Sequence, residues 1–242
     1  MTATLLALLV AAPARACSPA PTPATVRAAR FTPGEQLRYR LDVLGADVGT
    51  FEVSVEAPQS ADRARAALVA RSRAKTSAFV STNLGRYEGF ISTLLGPDLM
   101  PLRFREELDE GDRHMSVDVD FPPRAGKLGA RASIDGKPEP LDLNATPIAR
   151  DMLSTFLYLR ALPVKAGTPV CLEVYAARKM WTMAGAVGPR EQIETPLGKF
   201  GTVRVDLTAT RLDDAAIRRS AHVWITDDDR RLPVVAVGEV KG

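Results

Sequence analysis

The sequence predicts an all-β protein: a single, mainly antiparallel curved sheet, half-barrel or barrel-like, with one mid-chain helix packed on its concave face. Three observations lead to this fold class. Apolar and polar residues alternate along most of the chain from Glu35 onward. Turn signals separate the alternating runs, and one helical pattern interrupts them near the middle of the chain. A closed barrel and a two-sheet sandwich are also compatible with this pattern.

The first hairpin is predicted from two long alternating runs. Every odd position of 36–43 is apolar, and in the second run Phe51, Val53 and Val55 alternate with polar residues. Gly45 lies in the turn between them, and residues 64–74 add a third strand. Each strand is therefore expected to have one face in water and one face in the core.

A second meander follows after residues 76–85, a segment that breaks the alternation and is expected to form a short helix or an irregular crossing. Its strands are predicted at 87–94, 102–108 and 114–121, with turns between them. The last run alternates most clearly, so Val117 and Val119 should face inward. The carboxylate pair Glu106 and Glu107 is interpreted as part of a solvated face.

The predicted helix begins after Asp151, a good N-cap residue, and ends before Pro163. Its apolar positions form a wide stripe that has to be buried against the sheet. Strands are then predicted at 170–176, 180–194, 203–207, 218–226 and 232–240. The alternation still continues at Gly242, so the domain is expected to lack a closing strand.

The N-terminus predicts export. Residues 5–12 read LLALLVAA and 14–16 read ARA, which is typical of a signal peptide over residues 1–16 and too short to span a bilayer. Cys17 follows at once, so both lipidation of Cys17 and simple cleavage after Ala16 fit. Residues 17–32 are rich in Pro and Ala and are expected to form a tether to a single domain over 33–242. The predicted location is the periplasm or, as a lipoprotein, the outer membrane.

Catalytic and metal-site patterns are absent from the sequence. It contains no G-x-S-x-G, H-E-x-x-H, P-loop or C-x-x-C motif, and only two histidines. Cys171 is interpreted as a small buried hydrophobe on a strand, with a disulfide to Cys17 as the alternative. We therefore expect no enzyme activity, no catalytic residue, no metal and no cofactor. With a net charge of +3 and no basic stripe, nucleic acid is not an expected partner.

Six short motifs occur in an order that resembles the bacterial DUF3108 family, an exported domain of unknown function. They read GEQLRY at 34–39, VGT at 48–50, LMPLRF at 99–104, YLRALP at 158–163, ETPLGKF at 194–200, and VWITDD at 223–228 with RRLP at 230–233. The resemblance covers about residues 33–240. It implies export and a mostly β fold, and it supplies no catalytic residues.

The leading functional hypothesis is a non-enzymatic envelope protein that binds a lipid or another amphiphile in an apolar concave sheet face. The predicted lining comes from the helix and the strand after it: Met152, Phe156, Leu157, Met180, Trp181 and Met183. The alternative is that these residues simply fill the core and that the protein is a structural or assembly partner of another envelope component. An uncharacterised hydrolase is the third hypothesis. A lipid anchor on Cys17 would be the expected link to a membrane.

Overall fold

The structure, a computed structural model, describes residues 26–163 and 165–238. The predicted signal peptide and Cys17 lie outside these residues. The first half of the chain forms β1 (Gln36–Val43), β2 (Ala46–Glu56), β3 (Leu68–Thr76), β4 (Tyr87–Leu95), β5 (Pro101–Glu110), β6 (Arg113–Asp120), β7 (Gly126–Lys127), β8 (Gly129–Ile134) and β9 (Lys137–Glu139). All of these except β7 form one eight-stranded antiparallel sheet, in the order β1-β2-β3-β4-β5-β6-β8-β9.

The second half of the chain forms β10 (Asn144–Ala145), β11 (Arg150–Asp151), β12 (Pro169–Ala176), β13 (Lys179–Thr195), β14 (Gly198–Arg211), β15 (Arg218–Thr226) and β16 (Pro233–Gly238). Strands β11 to β16 make a six-stranded sheet in chain order, in which only the β11–β12 pair is parallel. The short strands β7 and β10 pair with each other. Apart from the parallel β11–β12 pair and the step from β6 to β8, both large sheets are therefore antiparallel meanders of consecutive strands.

Two short α-helices interrupt the strands. α1 (Ala78–Asn83) fills the segment where the alternation breaks, and α2 (Met152–Ala161) is the predicted mid-chain helix. Asp151 caps α2: its carboxylate accepts hydrogen bonds from the backbone amides of Leu153 and Ser154. Every residue of α2 except Met152 and Phe156 is buried. A helix that is buried on nearly all sides needs apolar residues all round, which explains its wide apolar stripe.

The main core joins α2 to both large sheets. Leu153 and Leu157 of α2 belong to one buried cluster with Val55 of the first sheet and with Val203 and Val205 of the second. A second cluster contains Val117 and Val119, which confirms the inward direction predicted for them.

The chain is mainly antiparallel β with a curled half-barrel sheet, as the sequence predicted. It differs from the prediction in that its hydrogen bonding divides into two large sheets rather than one, and in that the strands β7 to β11 lie in a segment for which no strand was predicted. The division falls between β9 and β11, before α2, where the chain leaves the first sheet and enters the second. Alternation shows that a strand exists but does not show to which sheet it belongs, since pairing depends on register between distant segments.

Cys171 departs from its predicted role. It lies on β12, is half-buried rather than buried, and is disulfide-bonded. The interpretation as a free, buried hydrophobe is therefore wrong. Cys17, the other cysteine of the chain, lies outside the described residues.

Candidate functional site: an apolar row and three polar side chains

The inner face of the first sheet, which carries its buried residues, has one row that no element covers completely. The strand register aligns seven side chains across seven strands: Tyr39, Phe51, Ala74, Gly89, Leu108, Met115 and Ile134. None carries a charge, and all seven are half-buried. We call this set the half-exposed row.

Burial increases from this row toward α2. Two rows further along, Val55, Ala70, Thr93, Phe104 and Val119 are all buried. The helix contacts β3 and β4 and shares the main core with Val55 and Ala70, so it covers that end of the inner face. The opposite end, where the half-exposed row lies, is not covered by α2.

The surface of the half-exposed row has a depression at its centre, because two small residues lie side by side there. Ala74 of β3 is directly opposite Gly89 of β4, between the larger Phe51 and Leu108. The ring of Tyr87 lies over Gly89: its hydroxyl is 3.4 Å from the position that a Cβ at residue 89 would occupy. Tyr87 is itself partly exposed, and the Leu108 side chain reaches the same position at 3.7 Å, so these two side chains cover Gly89.

One charged side chain, Glu106, projects from the same inner face. It lies in the row next to the half-exposed row, between Ile91 and Val117 in register. Burial raises the pKa of its carboxyl above the ordinary value, and the positive charge of Arg178 opposes that rise. Within the part of the chain that the structure describes, the Glu106 carboxylate makes no hydrogen bond or ion pair. A desolvated carboxylate without a partner on an apolar face is unusual, because buried polar groups are nearly always paired.

Tyr175 brings a second polar group from the other sheet. It is fully buried, and its ring packs edge to face on Phe104, two residues before Glu106, with 5.3 Å between ring centres. Its hydroxyl has no hydrogen-bond partner among the described residues. Burial raises the pKa of this phenol, with Glu106 raising it further and Arg178 lowering it. The phenol therefore stays neutral at physiological pH and can act as a hydrogen-bond donor or acceptor, but not as a base.

Arg178 completes the group. It lies in the turn between β12 and β13, is half-buried, and has a left-handed backbone conformation with φ of 59°. Its charge acts on both Glu106 and Tyr175. We call Glu106, Tyr175 and Arg178 the polar trio. A few convergent polar groups beside an apolar surface are typical of sites that bind a molecule with one polar and one apolar part.

A comparison with protein families adds one finding. Residues 38–241 match the family model described as "Protein of unknown function (DUF3108)". The chain belongs to the DUF3108 family. No curated protein and no solved structure matches it. The matched residues of the DUF3108 domain include the whole half-exposed row and the polar trio.

The DUF3108 domain does not bring the six sequence-predicted lining residues together on one surface. Leu157 is buried in the main core and Met180 in the second cluster, while Phe156 and Met183 pack against the main core. Met152 is 52% exposed at the start of α2. Trp181 is half-buried, and its indole N–H donates a hydrogen bond to the Ala176 carbonyl at 3.1 Å. Ligand binding by these six residues stays a prediction.

The polar trio was not predicted from the sequence, although the position of one member in the alternation is unusual. Along β5, Leu102, Phe104 and Leu108 occupy the inner phase of the alternation, and Glu106 lies where an apolar residue is expected. The interpretation of Glu106 as part of a solvated face is therefore wrong, whereas Glu107 does point outward and is exposed. No local signal marks Tyr175 or Arg178, because their role depends on a strand about 70 residues away.

Two clefts lie elsewhere on the domain. The larger, about 670 Å³, is bounded by loops and by five prolines, and the smaller, about 470 Å³, lies along β1 to β4. Neither cleft includes the polar trio or the six predicted residues. Among the described residues, no group of three or more His, Cys, Asp or Glu side chains could hold a metal ion. No helix in this part of the chain is both long and apolar enough to cross a bilayer.

Proposed function

We propose that this protein is an exported, non-enzymatic envelope protein that binds an amphiphile on the inner face of its first sheet. The observation that carries the proposal is the half-exposed apolar row beside an unpartnered carboxylate. An ordinary core would bury the row and would not place Glu106 on the same face.

The apolar part of the ligand would lie along the half-exposed row. Seven strands are separated by six spacings of about 4.8 Å, so the row extends over roughly 29 Å. That length suits an acyl chain, and each CH₂ group removed from water contributes about 0.8 kcal/mol. Tyr87 would move aside from Gly89 to admit the chain, which costs little because its side chain is already partly exposed.

The polar part of the ligand would contact the polar trio. The Tyr175 hydroxyl can donate or accept a hydrogen bond, Arg178 can only donate, and Glu106 accepts when ionised and donates when protonated. A ligand head group that pairs with these side chains would relieve the cost of leaving the buried Tyr175 hydroxyl unpaired.

Native mass spectrometry tests this proposal directly. Protein purified from its own envelope should carry a co-purified lipid, and the delipidated protein should bind cis-parinaric acid, a fluorescent fatty acid. Ala74→Leu fills the depression at the centre of the row with a larger side chain, and it should weaken binding of cis-parinaric acid at least tenfold. Lys75→Leu places the same side chain one residue further on, on the exposed outer face, and should leave binding unchanged.

Trp fluorescence provides a second reading of the same experiment. In a Trp224→Phe background, emission comes from Trp181 alone, because the chain has two tryptophans. A change in emission on probe binding would extend the ligand site toward Trp181 and Met183. If the probe binds without any change, the site is confined to the first sheet. Failure of wild-type protein to bind any apolar probe would contradict the proposal.

Export is the other part of the proposal. It is supported by the apolar run at 5–12 and the ARA sequence at 14–16. Cell fractionation should recover the mature chain from the envelope, and Cys17→Ser should release it from the membrane fraction if Cys17 carries lipid. Recovery of the uncleaved chain from the cytoplasm would contradict export.

Assembly with another envelope component is the second candidate function. β1 and β16 are edge strands of the two sheets, and a partner strand could pair with either. The exposed Arg38 and Arg40 on β1 disfavour such pairing, since charged edge strands are a common protection against it. For this reason we rank assembly below amphiphile binding.

A further inference from the structure

The larger of the two clefts has a lining that suits an uncharged chain. Phe121 lines it together with the five prolines, which are Pro97, Pro101, Pro122, Pro123 and Pro147. We call it the proline cleft. The charged side chains in its lining are occupied by their neighbours: Arg103 pairs with Asp118 and Asp120, and Arg65 pairs with Asp62. An occupant therefore meets mainly proline rings and other apolar groups.

One polar group in this lining lacks a partner. The Thr146 hydroxyl is buried and makes no hydrogen bond within residues 26–163 and 165–238. A hydroxyl donates one hydrogen bond, so an occupant that presents a backbone carbonyl would satisfy it. A polyproline II segment makes no internal hydrogen bonds and so presents every carbonyl to its surroundings. The proline cleft thus favours an extended, uncharged segment of this kind.

The first described residues of the chain start beside the proline cleft. Val26 is fully buried and belongs to the main core. Two residues later, the Ala28 amide donates a hydrogen bond of 2.8 Å to the carbonyl of Pro97, which lines the cleft. The residues that precede Val26 are therefore attached to the domain at the cleft.

Cys171 provides a second attachment point near the same lining. The Thr146 amide donates to the Glu173 carboxylate at 2.9 Å, which joins the cleft to β12. Cys171 lies two residues before Glu173 on the same face of β12, about 7 Å along the strand. It is disulfide-bonded, and the other cysteine of the chain is Cys17. The disulfide therefore brings Cys17 to this part of the domain.

The segment between the two attachment points matches the cleft in composition and length. Residues 18–25 lie outside the described part of the chain and read SPAPTPAT, with three alternating prolines and no charge. Nine residue steps separate Cys17 from Val26, which corresponds to roughly 28 Å in a polyproline II conformation. Proline-rich segments of this conformation commonly bind grooves that aromatic residues line, since they lose little entropy on binding.

We propose that a Cys17–Cys171 disulfide holds residues 18–25 as a strap in the proline cleft. The strap fills the cleft and presents a backbone carbonyl to the Thr146 hydroxyl. The bond forms by exchange with a disulfide donor: the two thiols lose two protons and two electrons, and the donor is reduced to a dithiol. An oxidising compartment, such as the proposed periplasmic location, maintains the bond.

Peptide mapping without reduction tests the disulfide in the mature protein purified from its envelope. Trypsin should release one species in which the peptide that contains Cys17 is linked to the peptide that contains Cys171. Non-reducing electrophoresis of the undigested protein should show a monomer. A free Cys171 thiol, or a link between the Cys171 residues of two chains, would overturn the proposal.

Hydroxyl-radical footprinting tests where the strap lies. Phe121 should be oxidised about threefold faster in Cys17→Ser than in the wild type, because release of the strap opens the cleft to water. A chain that starts at Val26, and so lacks the strap, should match Cys17→Ser. Phe79 is the internal control: it is 71% exposed on α1 and should react at the same rate in all three proteins.

Circular dichroism of both variants should match the wild type, since neither changes a described residue. Equal oxidation of Phe121 in the wild type and the shortened chain would show that the segment does not fill the cleft. Faster oxidation in the shortened chain alone would show that the disulfide does not hold it there. Neither result bears on amphiphile binding, because the half-exposed row does not line the proline cleft.

Discussion

Arg160 and Glu35 form a two-point ion pair that joins α2 to the residue just before β1. Arg160 is only 2% exposed, and its Nη1 and Nη2 atoms donate to the two Glu35 carboxylate oxygens at 2.5 and 3.1 Å. Its Nε also donates to the Arg231 carbonyl at 3.0 Å, and its guanidinium lies over the Phe31 ring. One buried cation thus ties the helix to both ends of the folded domain.

Removal of the Glu35 carboxylate should therefore destabilise the domain. Glu35→Gln leaves the buried Arg160 charge without its counter-ion, and we expect a loss of about 3 kcal/mol in the free energy of unfolding, measured by urea denaturation. Glu52→Gln is the control, because its partner Arg38 is exposed, and it should cost less than about 1 kcal/mol. Similar small losses in both variants would show that the buried pair contributes little.

Glu106 should make stability depend on pH. Since burial raises the pKa of this carboxyl in the folded state, the folded chain holds the proton at pH values where the unfolded chain has released it. Stability should consequently fall as pH rises from the ordinary glutamate pKa of 4.5 through the raised folded value, and stay lower above it.

Glu106→Gln should remove that fall and be more stable than wild type at neutral pH, as measured by thermal melting across pH 4 to 8. Burial also raises the pKa of Asp151, so the difference between the two curves isolates Glu106. Glu107→Gln, on the exposed outer face, should keep the wild-type slope. Parallel curves for wild type and Glu106→Gln would contradict the burial of this carboxyl.

Gly185 should not tolerate a side chain. A Cβ at this position would lie 1.7 Å from the Asp206 carbonyl oxygen on the neighbouring strand β14. Gly185→Ala forces the two strands apart and should cost roughly 1–3 kcal/mol in the free energy of unfolding. Gly201→Ala is the matched control on β14, with no atom within 4 Å of its Cβ, and it should be neutral or slightly stabilising. Equal melting temperatures for both variants would contradict the close approach of β13 and β14.

The state of the two cysteines decides between an anchored and an unanchored chain. Cys171 is disulfide-bonded, and the chain has only one other cysteine. We therefore expect thiol titration of the mature, denatured protein to detect no free thiol. The Cys17 sulfur cannot be in a thioether to lipid and in a disulfide at once, so a free Cys171 thiol together with a lipid mass on the N-terminal peptide would establish the lipoprotein instead.

Local patterns in the sequence were enough to locate the long strands and the mid-chain helix, but not the short strands β7 to β11. Alternation is a local property: the side chains of successive residues point to opposite faces of a sheet, so Val117 and Val119 could be placed inside from their own neighbours. The cap of α2 is equally local, because Asp151 bonds amides only two and three residues away.

Only the tertiary structure decided the division into two sheets, the burial of Glu106 and the pairing of Arg160 with Glu35. A strand's neighbours and a carboxylate's environment depend on which distant segments pack against them. Glu106 lies among charged residues in the sequence, yet its desolvation comes from the fold that brings Tyr175 and Arg178 near it. Arg160 similarly finds its counter-ion 125 residues away, a separation at which no local pattern carries information.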